Sequence, residues 1–131
     1  MFKIFLVAII IFLSAQGSAE AVKWEYVTSV ENVATMYVDV DTITYPASGV
    51  VQFWNKYLYP TEGFLNPNSK MIEKERKHLY RVTSGRQGCS IQTVVALMDG
   101  RTLDSGPLEC RYSNIPPETV AEEFWKFFFN R

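Results

Sequence analysis

Apolar and polar positions alternate with a period of two over most of the chain from residue 22 onward, the signature of half-buried strands. Residues 22–28 set Trp24 and Tyr26 on one face and Lys23, Glu25 and Val27 on the other. Residues 35–40 predict a second strand, and Asp41-Thr42 and Pro46-Ala47-Ser48-Gly49 punctuate the stretch between it and residue 50. Residues 50–59, rich in β-branched and aromatic side chains, carry the strongest strand signal; Pro60, Gly63, Asn66 and Pro67 then mark a loop. Residues 69–80 fit a short helix capped by Ser69 or a strand, and the strand is favoured from about Lys74 to Ser84. Residues 89–98 continue the alternation, Asp99-Gly100 signals a two-residue hairpin turn, and residues 101–104 and 108–112 return around Ser105-Gly106-Pro107.

The period changes at the end of the chain. Pro116-Pro117 opens a predicted helix, and Val120, Phe124, Phe127 and Phe128 then fall at i, i+4, i+7 and i+8, with Ala121 and Trp125 widening the stripe. Strands first and one helix last predict an α+β fold. It is a single antiparallel sheet of about five to six strands packed with one C-terminal helix.

The start of the chain is not part of that pattern. Lys3 precedes an uncharged apolar run of roughly a dozen residues, followed by small and polar residues to Ala21. That run is short of the ~20 residues needed to span a bilayer, and it reads as a cleaved signal peptide over residues 1–21, with residues 22–131 as one domain. Cleavage after Ala19 or after Ala21 fits equally. The protein is then exported, periplasmic or secreted, with no membrane span after cleavage. No Cys near the cleavage point offers a lipid anchor.

Formal net charge is −1, so no overall field draws nucleic acid. Export makes a disulfide the default for the two cysteines, Cys89 and Cys110. With Asp99-Gly100 as a two-residue turn, Met98 faces Arg101 and Cys89 faces Cys110 at a non-hydrogen-bonded pair, where Cα atoms lie ~4.5 Å apart. Pro107 cannot donate to such a ladder, so a bulge near Gly106 is predicted, and a one-residue slip there would set the cysteines on a diagonal.

Chemistry is sparse. His78 is the sole histidine and reads as a solvated strand residue beside a charged run. Asp39 and Asp41 have the spacing of a same-face carboxylate pair, but a strand end and a turn start account for them. No nucleotide-binding, hydrolase or metal motif appears, so no catalytic residue, metal ligand or cofactor is assigned. The candidate partner-binding residues are the basic positions Lys70, Lys74, Arg76, Lys77 and Arg81. On a regular strand Lys70, Lys74 and Arg76 share one face while Glu73 and Glu75 share the other. Such a stripe suits an acidic protein or a sulfated glycan; a mixed solvated face is the competing reading. Trp54, Tyr57 and Tyr59 are either a binding platform or cross-strand packing.

Several segments together resemble the surface-adhesin protein E family of small exported bacterial proteins. They are Trp24-Glu25-Tyr26-Val27, Tyr37-Val38-Asp39-Val40-Asp41-Thr42-Ile43, Val51-Gln52-Phe53-Trp54, Leu79-Tyr80-Arg81-Val82 followed by a Cys, and Ile115-Pro116-Pro117-Glu118-Thr119 leading to Phe124-Trp125-Lys126. The resemblance implies one antiparallel sheet with a C-terminal helix and no enzyme activity. In the founding adhesin it implies capture of host extracellular-matrix and plasma proteins. The chain departs from the family in two places. Members often carry their second Cys at the end of the last helix, a role taken here by Cys110, and the founding adhesin has a lipid-anchoring Cys that is missing here. A small periplasmic enzyme or inhibitor, and an envelope component self-associating along a sheet edge as a homodimer, are the alternatives from other classes.

Overall fold

The computed structural model describes residues 23–130; the expected signal peptide lies outside them. Six strands form one antiparallel sheet in the order β1 (Trp24–Val30), β2 (Ala34–Asp39), β4 (Val50–Leu58), β6 (Ile72–Thr83), β7 (Gln87–Leu97) and β8 (Thr102–Asp104). Three short strands join it: β3 (Thr44–Ala47) on β4, β5 (Phe64–Leu65) on β6, and β9 (Ser113–Asn114) on β7. The nine strands exceed the five to six expected. The three additions are short segments in stretches rich in Pro, Gly and Asn, too brief for alternation to show, and they form because a long neighbour offers free backbone groups.

Among the described residues one helix, α1 (Val120–Phe129), covers one face of the sheet. It starts three residues later than Pro117, because Glu118 takes a left-handed φ of 61° and ends the preceding turn. Thr119 is the N-cap, its hydroxyl oxygen accepting from the Glu122 N–H at 3.2 Å. The Glu122 carboxylate reaches back to the Glu118 N–H at 3.2 Å, close to a capping box.

The core lies between α1 and the inner face of the sheet. Ala34, Met36 and Val38 of β2, Val51 and Phe53 of β4, Val82 of β6, Ile115 and Phe124 are buried together. The predicted stripe meets the sheet at Phe53, whose ring lies 5.7 Å from that of Phe124 and 4.6 Å from that of Phe128. Trp125 fixes the helix against the β6–β7 turn, its indole N–H donating to the Thr83 carbonyl at 3.0 Å. The Arg86 guanidinium lies 4.5 Å from the Trp125 ring centre and pairs with Glu122.

Cys89 and Cys110 form a disulfide with Cα atoms 5.3 Å apart, but the route there differs from the expected one. Ala96 pairs with Thr102, Val95 with Leu103 and Val94 with Asp104. The Leu97 N–H donates to the Arg101 carbonyl at 2.9 Å, so the turn holds Met98, Asp99 and Gly100, with Gly100 at φ 93°. A third turn residue with positive φ suits the strand twist and moves the pairing by one position. Gly106, at φ 67°, moves it back: Ser105 N–H bonds the Thr93 carbonyl at 2.9 Å, whereas Leu108 N–H bonds the Ile91 carbonyl at 2.6 Å. Two one-residue shifts cancel, and Cys110 arrives beside Cys89. Residues 108–112 run along β7 without forming the strand expected of them, because Pro107 and the bulge interrupt the ladder.

Candidate functional site

Residues directly opposite one another in an antiparallel pair share a face, so the register assigns every side chain of the central strands. Val51, Phe53, Asn55 and Tyr57 of β4 lie opposite Val82, Tyr80, His78 and Arg76 of β6, on the face covered by α1. The other face carries a row across all six ladder strands: Tyr26, Tyr37, Lys56, Lys77, Val94 and Asp104.

The basic stripe expected of Lys70, Lys74 and Arg76 does not form. Lys70 sits in a turn at φ 64°, its N–H donating to the Asn66 carbonyl at 2.9 Å. Lys74 is the extra residue of a bulge, because Glu73 pairs with Leu97 and Glu75 with Ala96. The bulge breaks the period of two and turns Glu73 inward, where it is 2% exposed. Arg76 follows it, donating to the Glu73 carboxylate from Nε at 3.0 Å and from a terminal nitrogen at 2.6 Å, while Asn66 donates at 2.9 Å. Burial works against the charge on Glu73, but these hydrogen bonds outweigh it and hold the carboxyl below its ordinary range. Arg76 is thus engaged inside the fold. Of the expected set, Lys77 and Arg81 reach the open face, and Arg81 is held by the Gln52 side-chain oxygen at 2.7 and 3.2 Å.

The cationic cluster that does form was missed, because Lys56 belongs to a different strand. Lys56 and Lys77 are direct cross-strand neighbours. The Lys56 ammonium lies 4.4 Å from the Trp24 ring centre and 5.2 Å from that of Tyr37, and the Lys77 ammonium lies 5.9 Å from Trp24. Desolvation lowers the Lys56 pKa; nearby Glu75 opposes the shift and Lys77 adds to it. Like charges placed directly opposite cost on the order of 0.2–1 kcal/mol, and cation–π contacts offset a similar amount. Alternation along residues 50–59 sets Lys56 on the face of Trp54, but its partners come from residues 24, 37 and 77.

Other expected candidates are used structurally. His78 is not solvated: the alternation of β6 turns it inward, where Nδ1 lies 3.2 Å from Asn55 Oδ1 and the ring meets Tyr57 edge-on at 5.3 Å. Burial, aided by the Arg76 charge, lowers its pKa to about 4. Asp39 is buried and closes the turn after β2, accepting from the Lys23 and Asp41 N–H groups and from the Thr42 hydroxyl at 2.7 Å. Asp41 is exposed in that turn. Trp54 and Tyr57 point to opposite faces and Tyr59 stacks on Phe64 at 5.0 Å, so these three rings make no platform. Among the described residues, no three His, Cys, Asp or Glu side chains gather in a metal-binding group, and no helix is long and apolar enough to cross a membrane.

No protein-family profile and no curated protein matches the sequence. Two solved structures of Haemophilus influenzae protein E are similar in fold. Each has a TM-score of 0.51 and 16% identity over 78% of this chain, and the matches span 83% and 84% of those chains. At that identity the likeness shows the fold: the antiparallel sheet with its C-terminal helix is that of protein E.

Proposed function

We propose that this chain is an exported, non-enzymatic, adhesin-like module that captures a protein partner on the open face of its sheet. Residues 1–21 direct export, and residues 22–131 work in the periplasm or outside the cell. The observation that carries the reading is the Lys56–Lys77 pair gathered on Trp24 and Tyr37. Within the fold the repulsion between the two ammonium groups is only offset, by the rings and by Glu75, whereas an acidic segment of an extracellular-matrix or envelope protein gains two cations and a rigid aromatic floor. The likeness in fold to protein E supports the same class of role.

The test is retention of extracellular-matrix and envelope proteins on the immobilised, disulfide-intact chain. Lys56→Glu/Lys77→Glu is expected to lower retention about tenfold or more, and raised salt to lower wild-type retention. Lys70→Glu/Lys74→Glu is expected to change little. Retention by Lys56→Glu/Lys77→Glu equal to wild type would remove this face from consideration.

A further inference from the structure

Beneath α1, on the opposite side of the sheet from the lysine pair, the inner face opens into a cleft of ≈ 280 Å³. Its floor is polar, between the apolar cluster around Phe53 and the Glu73–Arg76 pair. Asn55, His78 and Thr93 form one row across β4, β6 and β7, and Ser90 lies in the next row, opposite Tyr80. An extra residue of β7, Ile91, lies between Ser90 and Gln92 in the pairing and re-aims the strand at this point. Tyr57 and Phe124, whose ring centres lie 6.3 Å apart, pack on one another as a single aromatic wall.

Burying polar side chains costs free energy unless each finds a partner. Asn55, 2% exposed, and His78 satisfy one another. Because an amide oxygen accepts at Nδ1, that nitrogen carries the hydrogen, and Nε2 is the ring's acceptor. The Ser90 hydroxyl is buried with no hydrogen-bond partner. The cleft therefore holds an unspent hydroxyl and an imidazole acceptor beside an aromatic wall.

We propose that this cleft binds a small uncharged ring compound that hydrogen-bonds to Ser90. The reading is independent of the partner surface on the other face. The lining is Asn, Tyr, His, Ser, Thr, Ala and Phe, and burial keeps the histidine uncharged at neutral pH. No charged side chain lines the cleft, and the nearest one, Arg76, is committed to Glu73, so an ionic ligand would lose its hydration without a free counter-charge. The volume lies just below the ~300–1,000 Å³ of ligand pockets, which fits one or two fused rings and excludes a nucleotide.

The test is a heteronuclear NMR titration of the disulfide-intact chain with phenol and indole, and with benzoate and benzylammonium as charged counterparts. The neutral rings are expected to give saturable shifts at Asn55, His78, Ser90 and Thr93, and the charged ones none. Ser90→Ala is expected to bind the neutral probes several-fold more weakly without a loss of Tm, since it removes an unsatisfied group. Ala121→Leu, which fills the cleft from the helix side, is expected to abolish the shifts. Equal binding of neutral and charged probes, absence of saturable shifts at these residues, or undiminished binding by Ser90→Ala would each overturn the proposal.

Discussion

Opening the Cys89–Cys110 bridge tests how the β7 edge is held. The bridge spans 21 residues of sequence, and loop-closure entropy over that length corresponds to about 3.4 kcal/mol at 25 °C. For a domain of this size, that predicts a fall in Tm of roughly 12–20 °C. The loss has a definite place in the fold. Residues 105–112 run beside β7 through the Ser105 and Leu108 N–H bonds to Thr93 and Ile91, and the bridge lies just beyond them. Thermal unfolding followed by circular dichroism, on the wild type with and without a phosphine reductant and on Cys89→Ala/Cys110→Ala, supplies the magnitude. Because Cys89 is buried, the double variant also leaves a small void, and its difference from the reduced wild type isolates that contribution. Hydrogen exchange of the reduced protein is expected to quicken at residues 105–112 before it does so in β4 and β6. A stability loss below about 1 kcal/mol in both reduced and substituted proteins would refute the reasoning.

Two further outcomes are expected. Phe53→Ala, which removes the ring on which Phe124, Phe128 and Tyr80 pack, should cost about 3–5 kcal/mol in urea unfolding; a loss under about 1 kcal/mol would show the helix packs elsewhere. His78 titrates near 4 when folded against an ordinary 6.5, so the unfolded chain binds the proton first. Its contribution, on the order of 3 kcal/mol, is present above pH ~6.5 and lost as pH falls towards ~4. His78→Asn should flatten that part of the stability–pH curve, and parallel curves for variant and wild type would contradict the burial of the ring.

Local alternation was enough to place the six ladder strands and the final helix, because a period of two or of 3.6 is a property of neighbouring residues. The cysteine pairing followed from export and a count of two, not from the turn, which holds three residues and not two. The same alternation, counted along β6 from buried Val82 through Tyr80, turns His78 inward despite its charged neighbours. The functional surface was less legible. The stripe of Lys70, Lys74 and Arg76 assumed an unbroken strand; the turn at Lys70 and the bulge at Lys74 cancelled it, and Arg76 is committed to Glu73. Lys56 and Lys77 stand 21 residues apart in the chain, and Trp24 lies further off still.

By itself, then, the amino-acid order determined the class of fold, the face each regular stretch would bury and the bridge between Cys89 and Cys110. Only the tertiary structure decided which cations meet, which carboxylates are consumed and where a cleft remains beneath the helix. The physical reason is that faces follow from spacing along one strand. Register, by contrast, is a balance among turns, bulges and partner strands, and each single-residue shift in it exchanges one side of the sheet for the other.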